Sequence, residues 1–404
     1  MPWEERSTMS ERLRLCQLAH EGHYSMTELA EAFGVSRKTA YKWKARFEAD
    51  GAEGIGDRSR RPHASPAATG AAAVAAVLEI RDEYPMWKAR KLHRLLCDRW
   101  GRPGEQRDAA PSLSTVQRVL DRNGPTAPRT PPPRHAAVGR FERGRPNALW
   151  QVDFTAPFVL PSGRKLWPLP ILDDHSRFCL HLCAVAAPTV EAARSAVEAA
   201  ARRYGLPGEV LSDHGSAFGT SRAALTEFTV FLWGCGVEHR QGRRAHPQTQ
   251  GKLERFNRSL EEEWIERRDY STGADWDRSL EEYRQLYNTV RPHEAVGDRP
   301  PVTRYEPSEI PFTPPDKGQG ELGQEWLHRR VDASGKIWLL GHVVPVGHAF
   351  CGWTVSARHD GQGYWTVSFR GRRLCQVQLA RPVTRKGEKG AATPLSNEAP
   401  SATP

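Results

Sequence analysis

The chain has no run of 18 or more apolar residues, so nothing in its 404 positions reads as a membrane-spanning helix. Residues 1–10 lack the apolar stretch of a secretory signal. Cysteine is scarce and scattered: Cys16, Cys97, Cys179, Cys183, Cys235, Cys351 and Cys375 make an odd set of seven with no CxxC pair. That pattern argues against a zinc knuckle or a disulfide framework and suits reduced thiols in a cytoplasmic protein. No internal repeat appears beyond two helical units near the N-terminus. The length itself is too great for one ordinary domain and implies about two to four.

Charge is unevenly spread. The total is +10, yet residues 1–148 hold 26 Lys and Arg against 18 Asp and Glu, residues 149–310 hold 20 against 23, and residues 311–404 hold 12 against 7. Basic ends therefore flank a slightly acidic middle. Clustered Lys and Arg release the counterions condensed on phosphates, so a basic arm suits a polyanion; an Arg-rich solvated surface has the same composition.

Residues 10–48 read as three short helices. Ser25-Met26-Thr27-Glu28 has the spacing of a capping box, in which a hydroxyl and a carboxylate each satisfy an orphan N–H. Leu29, Ala30 and Phe33 follow, then Gly34 for the turn, then Ser36 as cap of a helix over 37–49 with Ala40, Trp43 and Phe47 inward. This is the pattern of a helix-turn-helix, assigned to residues 1–60. Its second helix offers Arg37, Lys38, Lys42, Lys44 and Arg46 to a major groove. Residues 61–124 repeat the theme more weakly: an Ala-rich helix over 70–84, a helix over 88–100, and one after Ser112 or Ser114 with Val116, Val119 and Leu120. They read as a second helix-turn-helix-like domain, with a helical spacer as the alternative.

Residues 125–145 are a Pro- and Arg-rich linker whose GPTAPRTPPP run from Gly124 should be extended. From Trp326 to Leu379, short alternating runs punctuated by Gly341, Gly347, Gly361, Gly363 and Gly371 predict a small β-barrel within residues 322–380. The polar tail, 381–404, reads as disordered.

The middle, residues 146–310, carries the chemistry. Leu149–Leu160 alternates, with Trp150, Val152 and Phe154 on one face and Gln151, Asp153 and Thr155 on the other, so a carboxylate is expected in mid-strand. Strands over 165–172 and 177–185, a helix over 189–204, a strand over 209–212 ending at Asp213, a helix over 221–233, a strand over 237–240 and a helix over 249–268 follow. The order β-β-β-α-β-α-β-α is that of an α/β ribonuclease H-like fold. Asp153, Asp213 and Glu254 fall at strand ends or in the first turns of the last helix. Three oxygen donors meeting there would suit hard divalent cations. Singly, Asp213 also suits a turn, and Glu254 also suits an i,i+4 pair with Arg258.

Four segments in order resemble the DDE transposases of bacterial insertion sequences, relatives of retroviral integrases. They are Trp150-Gln151-Val152-Asp153-Phe154-Thr155, Leu172-Asp173-Asp174-His175-Ser176-Arg177, Ser212-Asp213-His214-Gly215, and His246-Pro247-Gln248-Thr249-Gln250-Gly251-Lys252-Leu253-Glu254-Arg255. Tyr287-Asn288 and Arg291-Pro292-His293 extend the likeness, which spans residues 10–310. His214 and Gln250 stand where the family usually has Asn. The resemblance implies that Asp153, Asp213 and Glu254 bind two Mg²⁺ or Mn²⁺ ions and carry out DNA cleavage and strand transfer. It implies as partners double-stranded DNA, both terminal inverted repeats and target, and further copies of the chain. Lys252 and Arg255, flanking Glu254, are expected to touch the DNA backbone, and Asp173 and Asp174 are the next carboxylates in line. A catalytically silent DNA-binding repressor is the alternative.

Overall fold

A computed structural model describes residues 7–57, 69–101, 110–123, 142–219, 225–242, 251–267, 274–323 and 325–379. Nearly all of the 125–145 linker and of the 381–404 tail, and residues 243–250 with Arg243, Arg244 and Gln250, lie outside them. The chain divides into two compact units, Met1–Ala68 and Thr69–Pro404.

The first unit is the expected trihelical one: α1 (Thr8–Glu21), α2 (Met26–Ala32) and α3 (Arg37–Asp50). The capping box at α2 forms, with Glu28 N–H on Ser25 Oγ at 3.3 Å and Ser25 N–H on Glu28 Oε2 at 2.8 Å. Ser36 Oγ accepts Thr39 N–H at 3.2 Å and starts α3. Leu15, Cys16, Ala30, Ala40, Trp43 and Ile55 close the core.

The second unit opens with α4 (Ala71–Glu83), α5 (Ala89–Trp100) and α6 (Leu113–Asn123). Of the two candidate caps for α6, Ser112 accepts the Thr115 N–H, at 3.3 Å. Val77, Leu92, Leu96 and Val116 pack together, and Leu286 and Val290 from further along the chain pack against them. These helices are therefore seated on the domain that follows.

That domain comprises β1 (Leu149–Val152), β2 (Phe158–Val159), β3 (Lys165–Asp173), β4 (Cys179–Val185), α7 (Val190–Tyr204), β5 (Glu209–Ser212), α8 (Glu227–Gly234), β6 (Glu238–Gln241), α9 (Gly251–Glu263) and α10 (Ala274–Thr289). The sheet runs β2-β3-β1-β5-β6, with β4 also on β3. β1 is antiparallel to β3 and parallel to β5, and β5 is parallel to β6. Helices cover both faces, because β3 sends Leu169 and Ile171 to the α7–α8 side and Leu166 and Leu172 to the α9–α10 side. A mixed sheet with helices on both faces is the architecture expected of an α/β ribonuclease H-like fold.

Three expectations are corrected. The single strand expected over Leu149–Leu160 is broken into β1 and β2: pairing with β3 stops at Val152 and resumes at Phe158, and between them Thr155 N–H reaches Pro168 O at 3.0 Å. Asp153 thus lies just past a strand rather than within one. Helix α10 adds to the expected order, with Trp276, Leu280, Tyr283 and Tyr287 forming its buried stripe at helical spacing. The C-terminal region forms β7 (Leu327–Arg330), β8 (Lys336–Leu339), β9 (His342–Pro345), β10 (Thr354–Gly361), β11 (Tyr364–Phe369) and β12 (Arg372–Gln378). These make a β12-β11-β10-β7 sheet and a β8-β9 hairpin, and no pairing among the described residues closes them into one barrel. Both sheets share one core with Ile337, Val344, Val355 and Val367, and Val230 of α8 belongs to it.

Candidate active site

Asp153 and Asp213 each follow the last residue of a strand, and those strands are parallel neighbours. The pairing sets Leu149 against Glu209, Trp150 against Val210 and Gln151 against Leu211. Two positions further along the same register, Asp153 stands beside Asp213. Burial pushes the Asp153 carboxyl up to about 7, and the negative charge of Asp213 pushes the same way, against a hydrogen bond from the Phe154 N–H. Asp213 accepts the Gly215 N–H on Oδ1 at 2.8 Å. Neither aspartate is ion-paired among the described residues.

Glu254, on α9, shares a cavity with Asp153 but not with Asp213. It lines, with Asp153, Phe154, Pro157, Asn257 and Arg258, a cavity of about 500 Å³. Its carboxylate accepts a 2.9 Å hydrogen bond from Arg258, in an exposed pair whose side chains are 65% and 55% accessible. Among the described residues, no three His, Cys, Asp or Glu side chains gather closely enough to hold a metal ion. The donor set still fits a hard cation: two adjoining carboxylates, one with its ionisation suppressed by burial and a like charge, lack a positive partner.

The surroundings were less legible. His214 donates from Nε2 to the Gly242 carbonyl at 2.5 Å, tying the segment after β5 to the one after β6. Behind it, His239 is held between Ser212 Oγ at 2.9 Å and Thr229 Oγ1 at 2.8 Å. Lys252, expected at DNA, is 13% accessible and its ammonium sits on Asp174, whose own side chain is fully buried. A buried carboxylate draws a cation inward to offset its lost hydration. Arg255 is exposed beside it. In the first unit, Arg37, Lys38 and Lys42 are exposed along α3. Lys44 pairs with Glu48 at 3.8 Å, and the Arg46 guanidinium lies 5.1 Å from the Trp43 ring centre.

Family models of the integrase core domain match residues 143–247 and 235–301, a helix-turn-helix model matches residues 11–63, and a homeodomain-like model matches residues 39–120. Residues 143–301 thus match the integrase core domain, helix-turn-helix and homeodomain-like domains match ahead of it, and proteins of bacterial insertion elements are among the similar sequences. An uncharacterized 39.2 kDa protein of insertion element IS476 from Xanthomonas euvesicatoria is 23% identical over 242 residues, 58% of this chain and 62% of that protein. A 31.7 kDa protein of insertion element IS407 from Burkholderia multivorans is 28% identical over 38% of this chain and 53% of its own length. The chain thus spans less than two thirds of either. The transposase InsD of insertion element IS2 from Escherichia coli is 26% identical over 54% of this chain and 73% of its own. Among solved structures, the HTLV-2 integrase catalytic core domain in complex with magnesium aligns at 18% identity over 40% of this chain and 97% of that one, with a TM-score of 0.30.

Proposed function

We propose that this chain is a metal-dependent DNA transposase that binds the ends of its element and catalyses strand cleavage and strand transfer. The observation that carries the reading is the placement of Asp153 and Asp213 at matching ends of two parallel strands, with no counter-charge on Asp153 among the described residues. Asp153, Asp213 and Glu254 would hold Mg²⁺ or Mn²⁺, two ions by the family's pattern. Such ions activate a water or 3′-hydroxyl and neutralise charge on the leaving oxygen. The chain's own residues supply the rest. Asp153 and Asp213 are fixed by the sheet. Glu254 leaves Arg258 to join them, and an exposed i,i+4 pair of this kind holds it by only about 0.3–0.5 kcal/mol. Arg255 lies on the same helix, outward, where a DNA backbone would pass. Helix α3 of the first unit reads the element's terminal repeats, and several copies of the chain assemble on the DNA. The chain works where DNA lies open to it, in the cytoplasm, and no helix among the described residues is long and apolar enough to cross a membrane.

The second reading, a repressor that binds DNA without cutting it, draws on the engagement of Glu254 with Arg258. A strand-transfer assay on end DNA with Mg²⁺ or Mn²⁺ separates the two. The wild-type chain should cut and join, while Glu254→Gln, Asp153→Asn and Asp213→Asn should bind the ends normally and lose activity by several orders of magnitude. Double substitutions should be little worse than single ones, since the ligands act as a unit. End binding without any cleavage by the wild type would establish the repressor.

A further inference from the structure

We propose that Asp174 is a positioning residue of the active site, tying the strand that leads to Asp153 to the helix that carries Glu254. This rests on the reading of those two residues as metal ligands. The two adjacent aspartates where β3 ends do different work. Asp173 builds its own turn: it accepts Ser176 N–H at 2.7 Å and Ser176 O–H at 2.6 Å on Oδ2, and Asn147 N–H at 2.7 Å on Oδ1. Asp174 reaches across the fold. Its Oδ1 accepts Gln151 Nε2 at 2.7 Å and also the Lys252 ammonium, and its Oδ2 accepts the Arg143 N–H at 2.7 Å. Lys252 Nζ bonds the Asp174 carbonyl as well, at 3.1 Å, and Asp174 N–H bonds Leu149 O on β1 at 3.0 Å.

The two partners on Oδ1 are placed alike. Gln151 lies two residues before Asp153, and Lys252 two residues before Glu254. One oxygen atom therefore sets the distance between β1 and the first turn of α9, which are far apart in the chain. Asp174 is 1% exposed. A carboxylate kept that far from water is costly unless it is paired, and a surface turn has no need of one. Its geometry instead determines how closely Glu254 approaches Asp153. Displacements of about 1 Å at a reacting centre can cost about 100-fold in rate, so such a brace has a clear use.

The test uses the full chain bound to end DNA. Lys252→Met keeps the apolar stem and removes the ammonium, Lys252→Arg keeps the charge, and Gln151→Met breaks the other arm while leaving the ion pair. Mn²⁺ binding is read by electron paramagnetic resonance, alongside urea unfolding, end-DNA affinity and the Mn²⁺ dependence of cleavage. Residues that orient metal ligands typically contribute about 10–100-fold to metal affinity. Lys252→Met and Gln151→Met should each weaken Mn²⁺ binding by at least about 10-fold. End-DNA affinity should stay within about twofold of the wild type, and Lys252→Arg should recover much of the loss. If Lys252→Met does not fold, Gln151→Met decides. Unchanged Mn²⁺ affinity in the folded variants, or activity lost only in step with unfolding, would overturn the proposal. A wild-type chain that binds no Mn²⁺ on end DNA overturns instead the assignment of the triad, and the brace with it.

Discussion

Arg291 holds Glu263 in a two-point ion pair, Nε to Oε2 and Nη2 to Oε1, both at 2.7 Å. Their side chains are only 7% and 11% accessible. The same carboxylate also accepts Trp87 Nε1 at 2.9 Å and Lys91 Nζ at 2.8 Å. One glutamate at the end of α9 therefore fastens α5 to the segment that follows α10. Burial draws the Lys91 ammonium down to about 8, Arg291 adds to that, and Glu263 opposes both. Glu263→Gln leaves Arg291 and Lys91 without a counter-charge. The expected loss is about 3–5 kcal/mol in urea unfolding. A loss below about 1 kcal/mol would mean that water takes over the two cations.

On α3, exposure separates the five basic candidates. Arg37→Ala and Lys38→Ala should weaken DNA binding and each lower the salt slope by about one, as expected for a lost phosphate contact. Lys44→Ala and Arg46→Ala, whose groups engage Glu48 and Trp43, should change the slope little. Filter binding at several salt concentrations reads the difference. Equal slopes for all four would refute the assignment of the outward face.

His239 is half-buried between two hydroxyls, and desolvation pushes its pKa down to about 4. The unfolded chain takes up this proton near pH 6.5 and the folded chain only near 4. Stability from this group is thus complete above about 6.5 and falls as the pH drops toward 4, by about 3 kcal/mol at most. His239→Gln should remove that part of the pH dependence. The measurement is urea unfolding at pH 5 and pH 7 for both proteins. A variant with the full wild-type difference would place the proton elsewhere.

Gly234 ends α8 against the C-terminal sheets. A Cβ there would lie 2.6 Å from Cη2 of Trp353. Gly234→Ala should force the indole aside and cost about 1–3 kcal/mol, seen as a lower melting temperature. Deleting residues 322–404 uncovers Val230 and Trp233 on the same helix. The truncated chain should therefore be less stable and more prone to aggregate, which light scattering would show. A truncated protein as stable as the full chain would make the C-terminal sheets dispensable to the core.

Much of this protein is local, and so legible in the sequence. The capping box at Ser25, the Ser36 cap, the inward Ala40 and Trp43, strand β5 and the stripe of α9 depend on spacings within a few residues. The same holds for the candidate triad, whose residues stand in recognisable short motifs. The break after Val152 is masked in the sequence by the alternation on either side of it. Tertiary structure decided the rest. That β1 and β5 are parallel neighbours, and so bring Asp153 to Asp213, is a matter of strand order. Lys252 faces Asp174 rather than solvent because a carboxylate 78 residues away in sequence is buried beneath it. Glu263 binds α5 because Lys91 and Arg291, 200 residues apart in sequence, converge on it. Side-chain spacing determines which face of an element is apolar. Which partner meets that face, and which charge must then be neutralised out of water, depends on elements far apart in sequence.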